Sequence, residues 1–74
     1  MTTYKNLSGN SGVTAYEIKE EGIYVQFQKD AVYYYSYSAP GKEQVERMKE
    51  LAEQGKGLAT YISQNIRDNF DSKE

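Results

Sequence analysis

The 74-residue chain contains no cysteine, no histidine and no tryptophan, and a single proline. Each absence removes a class of explanation. Without cysteine there are no disulfide staples, and without cysteine or histidine the usual zinc sites cannot form. Cys- and His-based nucleophilic or acid–base catalysis is excluded as well, and no serine stands in a recognisable nucleophile motif. No apolar run approaches the roughly 20 residues that a membrane span requires. The first ten residues, MTTYKNLSGN, also lack the apolar core of a signal peptide. Charge of one sign is scarce too: 9 basic and 11 acidic residues leave a net charge of −2. A strong non-specific nucleic-acid binder carries a basic excess, because phosphate neutralisation supplies much of its affinity. The expectation is a small cytoplasmic, non-enzymatic domain with no cofactor and no metal, and no association with a membrane.

What is abundant is tyrosine, with eight Tyr and two Phe. A chain this short buries only about 60–65 % of its unfolded surface, so packing of large rings must do the stabilising. The length allows one domain. Residues 1–10 read as a flexible lead-in, residues 11–70 as the domain, and residues 71–74 as a tail.

From Ser11 to Ser38 the sequence is rich in Val, Ile, Phe, Tyr and Thr, broken by two polar clusters, Lys19-Glu20-Glu21-Gly22 and Gln28-Lys29-Asp30. These are turn signals, with Gly22 and Asp30 suited to positive φ. Three strands follow, at about 12–18, 23–28 and 31–38. A three-residue second loop, 28–30, pairs residues whose numbers sum to 58. The odd-numbered Ile23, Val25, Phe27, Tyr33, Tyr35 and Tyr37 then share the buried face. A two-residue loop at 29–30 would bury Val32 and Tyr34 instead, and the positive-φ position for Asp30 favours the longer loop. The first turn, with two or four loop residues, sets Ile18 opposite Ile23 and Tyr16 opposite Val25. Val13 breaks that alternation, which predicts a bulge near Thr14 or Ala15.

Pro40 suits the first turn of a helix. Val45, Met48, Leu51 and Ala52 recur on one stripe of the segment 41–54, with Glu43–Arg47 and Lys49–Glu53 pairs on the other side, and Gly55 stops it. A second helix is predicted over about 57–70 from Leu58, Tyr61, Ile62, Ile66 and Phe70. The fold class is α+β: a three-stranded antiparallel β-meander followed by two α-helices packed on one face (β-β-β-α-α).

One ordered series of residues resembles a known family. Ser11-Gly12-Val13, Tyr16-Glu17, Ile23-x-Val25-x-Phe27, Tyr33-x-Tyr35, Ala52, Gly57 and Ile66-Arg67-x-x-Phe70 look like the KTSC domain. That small module is named after the C-terminal region of some lysyl-tRNA synthetases. The likeness spans about residues 11 to 70, and the chain departs from the family in carrying Asp30 where glycine is usual. The resemblance implies a role near RNA and carries over no biochemical activity.

Two surfaces are candidates for binding. Tyr24 and Tyr34 also sum to 58, so they stand opposite each other on the even face, with Gln26 and Val32 beside them. Two rings on an open sheet resemble the stacking platforms of single-strand RNA binders. The same face could serve a protein partner or a weak homodimer. The other surface is the second helix at Arg67, which the family pattern matches. Arg67 could pair with Glu17, lay its stem over a tyrosine, or join Lys42, Lys49 and Lys56 in a basic patch. Gly55-Lys56-Gly57 before a helix has the character of a weak phosphate site. Glu43, Glu46, Glu50 and Glu53 read as a solvated helix face, and Asp68 and Asp71 lack calcium-loop spacing. The candidate binding residues are therefore Tyr24, Gln26, Tyr34, Lys56 and Arg67, for RNA first and a protein partner second.

Overall fold

A computed structural model of the chain describes residues 1–9, 11–28 and 31–74. Its core element is an antiparallel sheet with strands in sequence order: β1 (Thr2–Thr3), β2 (Val13–Lys19), β3 (Gly22–Phe27), β4 (Val32–Ser36) and β5 (Ser72–Lys73). The three long strands are the expected meander. The sheet has five strands rather than three, because residues expected to be lead-in and tail add a two-residue strand at each edge.

The register follows from side-chain alternation. β3 and β4 pair Ile23 with Tyr35, Tyr24 with Tyr34 and Val25 with Tyr33, the pairing in which numbers sum to 58. The loop residues Lys29 and Asp30 lie outside the described residues. β2 and β3 set Ile18 against Ile23 and Tyr16 against Val25, and the register shifts between Val13 and Ala15. That bulge turns Val13 inward, where it is buried. The turn between β2 and β3 has Glu20 and Glu21 as its two loop residues, since Lys19 pairs with Gly22. Gly22 is not at positive φ. Its lack of a side chain serves a different end: a Cβ there would stand 2.5 Å from the Tyr34 hydroxyl, so glycine is what lets that ring lie over the strand.

Helix α1 (Lys42–Gln54) buries Val45, Met48, Leu51 and Ala52 against the odd face. Its charge pairs are Glu46–Lys49 at 2.9 Å and Arg47–Glu50 at 3.5 Å, both at i,i+3 and different from the i,i+4 pairs expected. Gly55 ends it in the left-handed conformation, with Lys5 passing 2.5 Å from where a Cβ would sit. The following helix, α2 (Leu58–Tyr61), runs into a π-type turn over Ile62–Ile66, closed by the Arg67 N–H donating to the Ile62 carbonyl at 2.5 Å. The predicted helix over 57–70 thus stops at Ile66. Phe70 reaches the core from beyond the helix, although its spacing from Ile66 also suits a helical stripe.

Three connections close the fold. Tyr4 is buried, and its hydroxyl accepts the Leu58 N–H at 3.3 Å, so the segment before residue 10 belongs to the core. Tyr37 donates its hydroxyl to Glu46 at 2.7 Å and carries the Lys42 and Lys49 ammonium groups over its ring, which ties α1 to the end of β4. The Ser36 hydroxyl donates to the Asp71 carboxylate at 2.6 Å and accepts from the Ser38 and Ala39 amides. Pro40 bridges to Ser36 after a cis peptide bond rather than opening the helix, which begins at Lys42 beyond Gly41.

The Ser36 hydroxyl is buried and donates to a charged carboxylate, and hydrogen bonds to charged groups contribute more than those between neutral ones. Ser36→Ala should therefore destabilise the domain by about 1–3 kcal/mol in urea denaturation, and Asp71→Asn, which keeps an acceptor, by less. Equal stability of Ser36→Ala and the parent would show that the knot at Ser36 is dispensable.

Candidate functional site

A cleft of about 260 Å³ opens where the helical layer ends over the sheet. It is lined by Phe27, Tyr33, Tyr35, Ile62 and Phe70, with Arg67 and Asp68 as its charged members. Tyr35 and Ile62 are buried, whereas Phe27, Tyr33 and Phe70 are half-buried. The rings pack edge to face: Phe27 and Tyr33 at 5.4 Å and 89°, Tyr33 and Phe70 at 4.9 Å and 81°. These are preferred geometries of aromatic pairs, so the walls are held in place by one another. Lys73, on β5, lies 5.2 Å over the Tyr33 ring and adds a cation close by. Burial pushes the Tyr35 hydroxyl pKa up to about 12.

The chain makes this cleft through a reverse turn. The Asn69 N–H donates to the Ile66 carbonyl at 3.1 Å, with Arg67 and Asp68 as the two central residues. Arg67 has φ 55° and ψ −123°. That is the first central position of a type II′ turn, which glycine usually fills because a Cβ is crowded there. A non-glycine residue held in such a region costs of order 1–3 kcal/mol, and residues of this kind gather at functional sites. Arg67 is exposed and has no ion-pair partner among the described residues; neither has Asp68. The pair with Glu17 does not form, because Glu17 accepts Lys19 at 2.6 Å. That hydrogen bond holds the Glu17 carboxyl below the ordinary carboxylate range.

Tyr24, Gln26 and Tyr34 stand together on the opposite sheet face, as the register requires. The two tyrosine rings are 4.6 Å apart and tilted by 32°, and Tyr34 also covers Gly22. All three side chains are half-buried. A second cavity of about 250 Å³ lies beside them, lined by Tyr24, Val32 and the Glu17–Lys19 ion pair together with Met1 and Glu74. Among the described residues, the two cations at this cavity, Lys19 and the Met1 ammonium, are both paired with Glu17.

The sheet separates that face from Arg67. Lys56 is elsewhere again, exposed in the turn between α1 and α2 beside the segment that donates the Leu7 N–H to the Gly55 carbonyl. The basic patch expected around Arg67 does not assemble: Lys42 and Lys49 lie over Tyr37. Nor is the start of α2 an open anion site, since the Leu58 amide is already bonded to Tyr4. Of the five candidate residues, three form one group and two stand alone.

Phe27, Tyr33, Tyr35 and Phe70 were expected only as core, and Asp68 only as a solvated charge. Their gathering into a cleft depends on the helix ending early, and the adjacent Arg67-Asp68 before an aromatic is the one local signal that pointed there. Among the described residues no group of three or more Asp, Glu, His or Cys side chains is placed to hold a metal ion, and no helix is long and apolar enough to cross a membrane.

Arg67→Gly should relieve the turn and stabilise the domain by about 1 kcal/mol, a rise in Tm of roughly 4–8 °C; an unchanged or lower Tm would mean that the arginine is not strained there. A second outcome concerns pH. The folded state keeps the Tyr35 proton to about pH 12, whereas the unfolded chain releases it near pH 10. The unfolded state therefore binds fewer protons in this window, and stability falls as pH rises from 10 towards 12. Tyr35→Phe should flatten that part of the stability–pH curve, as followed by chemical denaturation.

Comparison of the chain with protein-family models, with curated proteins and with solved structures finds no match. The likeness to the KTSC domain therefore rests on the residues quoted for it.

Proposed function

We propose that this chain is a small KTSC-like, non-enzymatic binding module whose ligand enters the cleft at Arg67, and that its natural partner is single-stranded RNA presenting an unpaired base. The observation that carries this reading is the cleft itself. It joins aromatic walls to a guanidinium and a carboxylate with no ion-pair partners among the described residues, on a turn whose backbone is strained to present them. A concave apolar site with a few convergent polar groups is the usual form of a ligand site. Unstacked bases are commonly held against aromatic rings and arginine planes. The net charge of −2 fits recognition of one or two nucleotides better than a long phosphate track. A cytoplasmic setting suits a chain without cysteine.

A second reading has its own support in the opposite face. Tyr24, Gln26, Val32 and Tyr34 form a half-buried patch that no helix among the described residues covers, and a second copy of the chain would bury it in a weak homodimer.

Amide NMR titration with short single-stranded RNA at two salt concentrations separates the two. Salt-sensitive shifts should cluster on Phe27, Tyr33, Arg67 and Phe70. Shifts confined to Tyr24, Gln26 and Tyr34, together with a mass that rises with concentration in sedimentation, would favour the homodimer. A spectrum unmoved by submillimolar RNA would sink the RNA reading.

A further inference from the structure

We infer that the cleft is a guanine site: the base stacks against the cluster of Phe27, Tyr33 and Phe70, Asp68 accepts from its Watson–Crick edge, and Arg67 meets the attached phosphate. This inference rests on the preceding reading of the cleft as the ligand site and adds the identity of the base.

The argument starts from the two charges. Arg67 and Asp68 line the same cleft and occupy adjacent central positions of one tight turn, so both side chains leave the backbone at the same edge of the aromatic walls. A phosphate alone would be repelled by Asp68, and a purely cationic ligand by Arg67. The ligand must therefore offer an anion and a set of hydrogen-bond donors close together, on a flat apolar body that the rings can grip. An ionised carboxylate only accepts hydrogen bonds. Among the bases, guanine alone presents two adjacent donors on its Watson–Crick edge, the ring imino N–H and the exocyclic amine, and a carboxylate can take both at once. Adenine and cytosine offer an amine beside an acceptor nitrogen, which would face a carboxylate lone pair. Uracil offers one donor between two carbonyls.

Arg67 supplies the complementary half. Its guanidinium is planar, permanently charged and able to bond a phosphate through two parallel donors. Lys73 over Tyr33 adds positive charge at the same wall. Size agrees: about 260 Å³ is just below the range of drug-sized pockets, enough for one ring system and not for a stack of bases. The edge-to-face packing of the walls leaves ring edges and faces at right angles. A base can thus stack on one ring while another meets its edge. The strain at Arg67 then has a purpose, since a glycine would make the same turn without the phosphate contact.

The test is a set of amide NMR titrations of the whole chain with guanosine, inosine and adenosine monophosphates, with guanosine itself, and with indole as a neutral aromatic probe. Guanosine monophosphate should saturate the shifts of Phe27, Arg67, Asp68 and Phe70 about tenfold more tightly than adenosine monophosphate, in line with the discrimination of one bidentate pair. Inosine monophosphate, which lacks the exocyclic amine, should fall between them. Asp68→Asn, a residue that type II′ turns accept, should erase the difference, and Arg67→Gln should bring the nucleotide down to the affinity of guanosine. Equal binding of guanosine and adenosine monophosphates, or a preference that survives Asp68→Asn, would overturn the inference. If indole shifts the cleft and no nucleotide does, the guanine assignment fails while the cleft remains a ligand site. If neither indole nor any nucleotide shifts it, the reading of the cleft fails as well.

Discussion

One short helical layer lies on one face of this sheet, and that shortage shapes everything else in the molecule. The helical layer consists of α1, the single turn of α2 and the π-type turn behind it. It buries Ile23, Val25 and Tyr35 completely or nearly so and runs out over the Phe27–Tyr33 end of the same face. The other face is left to its own side chains. Tyrosine is suited to such half-covered positions, because its ring can be packed while its hydroxyl stays wet. The same residue type therefore fills the core at Tyr35, lines the cleft at Tyr33 and covers the open face at Tyr24 and Tyr34. Where the helices stop decides which of these roles each ring has.

The helical layer stops where it does because the chain spends a strained residue on the turn. A π-type turn and then a type II′ turn at Arg67 reverse the direction of the backbone within a few residues. Phe70 is returned to the aromatic cluster from outside the helix, and Asp71 arrives beside Ser36. The Ser36–Asp71 hydrogen bond and the β5 pairing with Tyr33 and Tyr34 then hold this return in place. Cleft and turn are thus one device: the wall at Phe70 and the charges at Arg67 and Asp68 are positioned by the same few backbone bonds. A non-glycine residue in that backbone region costs of order 1–3 kcal/mol, which is a familiar trade at sites where a side chain is needed for something other than folding.

Much of the central architecture was legible residue by residue. The β3–β4 register rested on the choice of the longer second loop, because a one-residue slip would have turned Val32 and Tyr34 inward in place of Tyr33 and Tyr35. The bulge before Ala15 showed itself as Val13 falling out of phase. The stripe of α1 and its stop at Gly55 were equally plain. The edge strands were not, since a two-residue strand has no period to detect and its partner is supplied only by the folded sheet. Tyr4 was hidden in the same way, as one ring in a polar stretch. Phe70 misled because an i+4 spacing from Ile66 fits a helix, and only the turn at Arg67 breaks the pattern.

By itself, the sequence determined the α+β class, the meander, the inward face of α1 and, once the longer second loop is chosen, the pairing of Tyr24 with Tyr34. All of these are set by local periodicity, by turn chemistry and by the need to bury one face. It also determined which chemistries have no side chains to perform them. Tertiary structure alone decided that Arg67 stands apart from Lys42, Lys49 and Lys56 and that Asp68 joins four aromatic rings at a cleft. Those outcomes depend on contacts between residues tens of positions apart and on a backbone turn that an arginine adopts only when the surrounding packing holds it there.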